Sequence, residues 1–169
     1  MIKQITYTFL LAIALIFISC EDDLNQDTDD DGFNRASVLI NWADNIIIPS
    51  INDLSNKLDE LKNSIEDFIQ NPSISSLNNT TEKWLEAYLV WQHVEMFDIG
   101  KAEVINYKSK MNIYPTDQNL IESNIYSGNY DLTNNNNFDA RGFPALDYML
   151  HGINDDQLSL IDIYLNNNN

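Results

Sequence analysis

Residues 47–68 read IIPSINDLSNKLDELKNSIEDF, and the spacing within them decides the fold. Ile47, Ile51, Leu54, Leu58, Leu61, Ile65 and Phe68 recur at alternating intervals of four and three. That period draws one apolar stripe along a helix, while Asp53, Lys57, Asp59, Lys62 and Asp67 fall off it and face water. Pro49 has no amide hydrogen for the preceding turn, so a kink or a break is expected there. Pro72 closes the pattern. A stripe of this length needs other helices to cover it.

The sequence supplies them. Residues 78–82 offer several N-caps, with Asn79 and Glu82 spaced as a capping box, and predict a second helix over residues 81–99. Trp84, Leu85, Tyr88, Leu89, Trp91, Met96 and Phe97 give that helix a broad apolar surface, and Gly100 suggests its end. Residues 102–113 show no clear period. Tyr114-Pro115-Thr116-Asp117 reads as a turn into a short helix over residues 117–126, stopped near Gly128. Residues 129–139, with four consecutive asparagines, read as a polar loop. Residues 141–152 form a further helix. A last one starts at Asn154 or Asp155 with Leu158, Ile161 and Leu165 on one face. No period-two strand and no repeat interrupts this. The expected fold is all-α, an antiparallel helical bundle over residues 36–169. The helix after Leu165 runs at once into Asn166, Asn167, Asn168 and Asn169, which suggests a chain cut short.

At 169 residues and 44% hydrophobic content, the chain has room for one domain with a sizeable core. Its 26 acidic residues against 9 basic ones give a formal charge of -17. Such a surface repels nucleic acid and anionic lipid heads, so nucleic acid is no partner. One cysteine excludes an intramolecular disulfide, and 2 histidines exclude a multi-histidine zinc site within one chain. No serine or cysteine nucleophile stands in a recognisable setting, and no glycine-rich loop cradles a phosphate.

The amino end reads as an address. Lys3, an apolar run over residues 9–18 and Ser19 before Cys20 are the parts of an export signal, residues 1–19. The cysteine after that small residue resembles the bacterial lipoprotein processing site. The resemblance implies a lipid on Cys20, a membrane as partner, and a lipid-anchored place in the cell envelope, at the outer membrane on its periplasmic or outer face. Residues 20–35 then form an acidic tether too polar to pack. Residues 27–32 resemble the opening of a calcium loop, but the twelfth place holds Val38 instead of a bidentate glutamate, so a solvated spacer is the expectation.

Four separated segments resemble one family, in matching order and spacing across residues 36–151. They are Asn41-Trp42-Ala43-Asp44 with Pro49; Trp91, Glu95, Phe97 and Gly100; Tyr114-Pro115-Thr116-Asp117; and Arg141-Gly142-Phe143 followed by Ala145-Leu146-Asp147-Tyr148-Met149-Leu150. Together they resemble the imelysin family. The resemblance implies an all-helical protein built from two bundle halves, of which this chain covers the amino-terminal one, with the site between them. It further implies export, often as a lipoprotein, an association with iron regulation and uptake, and for some members a peptidase label. The family block is Gly-x-His-x-x-Glu. Gly142 is kept, Pro144 stands at the histidine place, and Asp147 at the glutamate place. Proline has no lone pair for a metal and no proton to shuttle. Aspartate keeps the charge but shortens the reach by one methylene.

The candidate ligands are therefore Glu95, Asp147 and His151, for iron or another divalent or ferric cation. Asp147 and His151 stand four apart on one helix face, where they either grip an ion together or form an ordinary side-chain pair. By the resemblance, Glu95 lies in a motif near the site. Either it approaches Asp147 across packed helices to hold a hard cation, or it is a structural hydrogen-bond acceptor. Asp98 is expected at the surface, His93 at the core edge, Trp84, Tyr88 and Trp91 in the core, and Asp117 as a first-turn acid or cap. Arg141 pairs with Asp139 or Asp147, or binds a ligand carboxylate. Three functions follow: a binding component linked to iron or cation uptake by envelope partners, a metallopeptidase of the imelysin type, or a truncated remnant with a structural role only. Pro144 counts against the second, because a hydrolytic metal needs about three firm ligands and an activated water.

Overall fold

The computed structural model describes residues 32–166. The expectations that fall on residues 1–31, including the signal, Cys20 and most of the tether, and on residues 167–169 lie outside them. The chain divides into two compact units, one ending at Ser37 and the other beginning at Val38. Of the first, residues 32–37 are described. There Asn34 caps a helix start, its Oδ1 accepting from the Ser37 backbone N–H at 3.0 Å. The remainder concerns the second unit.

Helices are the only regular elements among the described residues, as the stripes predict. Helix α1, Arg35–Trp42, passes into a π-helical turn, Ala43–Ile47, and then into α2, Ile48–Gln70. Of the kink or break expected at Pro49, the structure shows no break: the chain stays helical, and the irregularity is the π turn just before it. Pro49 falls at the very start of α2, where a missing N–H costs little, and the wider π turn just before it absorbs the mismatch. From Leu54 onward the predicted stripe is the buried face, with Leu54, Leu61, Ser64 and Phe68 buried, whereas Ile51 is exposed.

A three-residue link leads to α3, Ile74–Val94. The helix begins seven residues earlier than its asparagine-rich caps suggest. Ser73 and Ser76 form a reciprocal capping box, each hydroxyl accepting from the other's backbone N–H at 3.1 Å. The earlier start places Leu77 and Thr80 inside the helix hairpin, and the Thr80 hydroxyl donates to the Ser64 carbonyl at 3.0 Å. Pairings of Lys57 with Glu86, Glu60 with Lys83 and Ser64 with Thr80 run in opposite directions along the two helices, so α2 and α3 are antiparallel. Helix α3 ends at Val94, short of Gly100, which instead sits at φ +60 in the turn before the next helix.

The stretch without a clear period holds two short helices, α4, Lys101–Val104, and α5, Tyr107–Met111, joined through Asn106 in a left-handed conformation. Helix α6, Gln118–Ser127, matches its prediction closely. Asp117 caps it by accepting from the Leu120 N–H at 3.0 Å, and Gly128 at φ +61 ends it. The polar loop that follows closes in a 3₁₀ turn, Asn135–Ala140. Then come α7, Gly142–Asp147, a second π turn, Tyr148–Gly152, and α8, Gln157–Asn166. Leu158 and Leu165 are exposed on α8. Ile161 is buried as expected, and Leu160 is buried beside it, because the helix turns toward Phe68 and Leu150. Tyr164 completes that contact, its ring edge-on to Phe68 at 5.2 Å and its hydroxyl donating to the Met149 carbonyl at 2.7 Å. Burial pushes its phenol up to about 12.

Three apolar clusters hold the unit together. Leu54, Leu61, Ala87, Trp91, Val94 and Phe143 join α2 and α3 to α7. Phe68, Leu77, Leu150, Leu160 and Ile161 bring in α8, and Ile121, Ala140 and Ala145 fix α6. Full burial of such side chains contributes about 1.5–3 kcal/mol each. Among the described residues no helix is long and apolar enough to cross a membrane.

On the outer face of the α2–α3 hairpin, Lys57 and Lys83 each bridge Glu60 and Glu86 at 2.9–3.1 Å. Hydrogen bonds from Lys57 and then Lys83 hold both glutamates below their usual range, and those to Glu86 and then Glu60 hold both lysines above theirs. Lowered carboxylates stabilise above their unfolded pKa, and that contribution is lost as pH falls through the folded value. Raised lysines stabilise below their unfolded pKa and lose it as pH rises through the folded one. The clip is thus complete across the neutral range, and as an exposed network it is screened by salt. Lys57→Met/Lys83→Met is expected to lower the melting temperature at pH 7 in low salt, with the difference shrinking below the glutamate range and in high salt. An equal difference at all pH values would contradict this origin.

Candidate functional site

The site is built on the glycine-led block, residues 141–152. Arg141 is extended, and Gly142 follows at φ +79. A Cβ on Gly142 would lie 2.3 Å from the Met111 carbonyl oxygen and 2.8 Å from that of Lys110. Only glycine lets the start of α7 press onto the end of α5 in this way. Phe143 is then carried into the core, its ring 5.3 Å from Tyr88 and 6.3 Å from Trp91. Its carbonyl accepts from the Trp84 indole N–H at 3.1 Å. Pro144 is the third residue of α7, where a backbone N–H has no intrahelical acceptor, so proline is accommodated there.

Beyond Pro144, Ala145 and Leu150 are buried, and Asp147 and His151 point away from the core. Their side chains are 51% and 43% exposed, so this is a surface site. The i, i+4 pair predicted from the sequence is formed, with His151 Nδ1 lying 3.0 Å from Asp147 Oδ1. A ring nitrogen facing a carboxylate carries the proton, which leaves Nε2 as the lone-pair nitrogen. That nitrogen lies 3.2 Å from the Thr81 hydroxyl of α3, which can donate to it. The imidazole also stands edge-on to Trp84 at 6.2 Å. Gly152 makes room for the turn, since a Cβ there would meet the Tyr148 ring at 2.3 Å. Tyr148 in turn donates to Glu122 on α6 at 2.5 Å.

Glu95 does not join this group. It caps the far end of α3, fourteen residues beyond Thr81. At 1.5 Å per residue the two positions are about 21 Å apart along the helix. Glu95 is half-buried and lines a cleft with Trp91, Phe97 and Asp98. Among the described residues no group of three His, Cys, Asp or Glu side chains is placed to hold a metal ion. Pro144 contributes no donor. Asp147 faces Nδ1 and Thr81 faces Nε2, so the pair presents one imidazole nitrogen backed by a carboxylate.

The other candidates fall in mixed places. Trp91 is buried and Trp84 and Tyr88 partly so, as expected. His93 is exposed, because the bend after Val94 leaves its face of α3 uncovered. Asp98, expected at the surface, has a buried Oδ1. Arg141 pairs with neither Asp139 nor Asp147. It stacks on the Phe138 ring at 4.1 Å and donates to the Leu132 carbonyl, and desolvation lowers its guanidinium pKa. Thr81, seventy residues from His151, was readable only as a capping residue, since a tertiary contact at that range leaves no periodic signal.

The profile of one protein family, described as imelysin, peptidase M75, matches residues 47–163. The matched span takes in the α2–α3 hairpin, the glycine-led block and most of α8, and it does not assign the chain to one half of a larger fold. No curated protein and no solved structure matches the chain.

Two substitutions separate the fastening of this block from its exposed polar face. Gly142→Ala forces a Cβ into backbone and is expected to cost roughly 2–5 kcal/mol of unfolding free energy. Trp84→Phe strands the Phe143 carbonyl and is expected to cost about 1–3 kcal/mol. Chemical denaturation measures both, and a Gly142→Ala variant as stable as the parent would rule out the close approach to Met111.

Proposed function

The chain belongs to the imelysin family, and from that premise we propose that it is a cell-envelope binding component for a cation and not a peptidase. The Asp147–His151 pair carries the reading. A carboxylate on Nδ1 orients the imidazole, which is how ligating histidines are commonly supported. Nε2, with the Thr81 hydroxyl beside it, then offers one firm donor, and the exposed Asp147 carboxylate offers charge. The chain's formal charge of -17 raises the concentration of cations near it. Iron is the cation to which the family resemblance points.

One imidazole donor at a wet surface, with a carboxylate's charge nearby, grips an ion weakly and leaves its other positions open. That suits capture and hand-over to envelope uptake partners better than catalysis, which needs about three fixed ligands and an activated water. Pro144 at the motif histidine place and Glu95 at the opposite end of α3 weigh the same way. Anchoring through a lipid on Cys20, at the outer membrane, is supported by Lys3, the apolar run and Ser19 ahead of that cysteine.

Titration of the full chain with ferrous ion under anaerobic conditions, followed by calorimetry, tests the reading. Asp147→Ala and His151→Ala are each expected to weaken binding by about tenfold or more, and Glu95→Ala to leave it unchanged. Parent-like affinity in both Asp147→Ala and His151→Ala would overturn it.

A further inference from the structure

The helical run of α1, the π turn and α2 extends past the hairpin it builds. At the register of the Lys57–Glu86 and Lys83–Glu60 pairs, Val94 at the end of α3 falls abreast of Pro49. Residues 38–48 therefore overhang α3 as a helical arm, by about 16 Å at 1.5 Å per residue. No residue of Arg35–Trp42 or of the Ala43–Ile47 turn is buried. Yet the arm is apolar. Leu39 is 62%, Ile40 60% and Trp42 54% exposed, and Ile46, Ile48 and Ile51 are exposed with them. Large apolar side chains crowded in the open on one short stretch of helix mark an interaction surface. A surface that fits them lies at the arm's base. A cleft of about 390 Å³ opens between α2, the end of α3 and the α4–α5 segment, with Ile51, Leu54, Phe97 and Ile105 on its mainly apolar walls. Being continuous with α2, the arm runs away from its own cleft and leaves it unfilled. Charge divides the same way. Residues 38–51 hold one charged side chain, Asp44, and residues 21–31 ahead of them hold acids and no base. Residues 101–110, which wall the cleft through Ala102, Ile105 and Lys108, hold Lys101, Lys108 and Lys110 against the single acid Glu103. That is a positive stretch in a chain of formal charge -17.

We propose that arm and cleft dock a second copy of this chain, each arm entering the other copy's cleft about a two-fold axis. A ridge and a groove side by side on one chain are complementary to themselves under such an axis. The pairing brings an apolar, acid-bearing arm to an apolar cleft walled by the lysine-rich segment, so shape and charge agree. A bilayer surface fits the arm less well. Helices that lie on membranes carry lysine or arginine along their polar face, and residues 38–51 have neither. The inference does not rest on the cation reading.

The test mixes two differently tagged copies of the full chain in mild detergent, both carrying Cys20→Ser, one Ile46→Cys and the other Ile105→Cys. A short bis-maleimide is expected to link the two tags. The same arm mixed with a Tyr126→Cys copy, whose thiol stands on exposed α6, is expected to give no such link. Adding Leu39→Asp and Ile40→Asp to the arm copy is expected to cut the linked yield about tenfold or more, and Lys108→Glu in the cleft copy about threefold. These side chains are exposed in the single chain, so circular dichroism is expected to stay unchanged. No link between the Ile46→Cys and Ile105→Cys copies, an equal link to the Tyr126→Cys copy, or an unchanged yield with Leu39→Asp and Ile40→Asp would each overturn the proposal. An arm that goes unlinked and instead holds the chain on phosphatidylethanolamine–phosphatidylglycerol vesicles would overturn it in favour of the membrane.

Discussion

The structure depends on one close approach of backbone to backbone. Gly142 lies against the carbonyls of Lys110 and Met111 at a distance no side chain permits. That contact sets the entry of α7, and the indole of Trp84 holds the next residue by its carbonyl. Phe143 then enters the aromatic group with Tyr88 and Trp91 at the middle of the hairpin. Remove the approach and the block that presents Asp147 and His151 has no fixed seat on α3. The glycine of the family motif is thus accounted for by packing alone, whatever chemistry its neighbours perform.

The substitution at Pro144 fits the same picture. Proline is tolerated early in α7 because the first turn of a helix does not use that N–H. The fold can keep the block whichever residue stands at its third place, provided it suits a helix start. What remains polar is split along α3. One end carries Thr81 next to His151 and Asp147, exposed and wired by hydrogen bonds. The other carries Glu95 and Asp98 at an apolar cleft. A single helix of ordinary length separates the two.

Much of this was legible in the sequence, for local reasons. The α2 stripe, the Asp117 cap and the Gly128 stop are written within one or two turns of chain, and they stand where the spacing placed them. The Asp147–His151 pair was legible for the same reason. Elsewhere the local signal pointed in part to other residues. The spacing pointed to Asn79 and Glu82 as the box, whereas Ser73 and Ser76 form it, seven residues earlier, with Leu77 and Thr80 buried. On α8 the spacing marked Ile161 correctly, but the direction of Phe68 and Leu150 selected Leu160 as its buried neighbour and left Leu158 and Leu165 exposed. The meeting of Thr81 with His151 and the separation of Glu95 from both are tertiary facts, carried by no spacing at all.

Hydrogen exchange at the tryptophan indoles tests the seat of the block most directly. If the Trp84 N–H is held by the Phe143 carbonyl as part of the folded core, it exchanges only on global unfolding. Its protection then tracks the unfolding free energy measured by denaturant, while Trp42, 54% exposed, exchanges freely. Exchange at Trp84 as fast as at Trp42 in the native protein would contradict the account, because the block would not be fastened to α3.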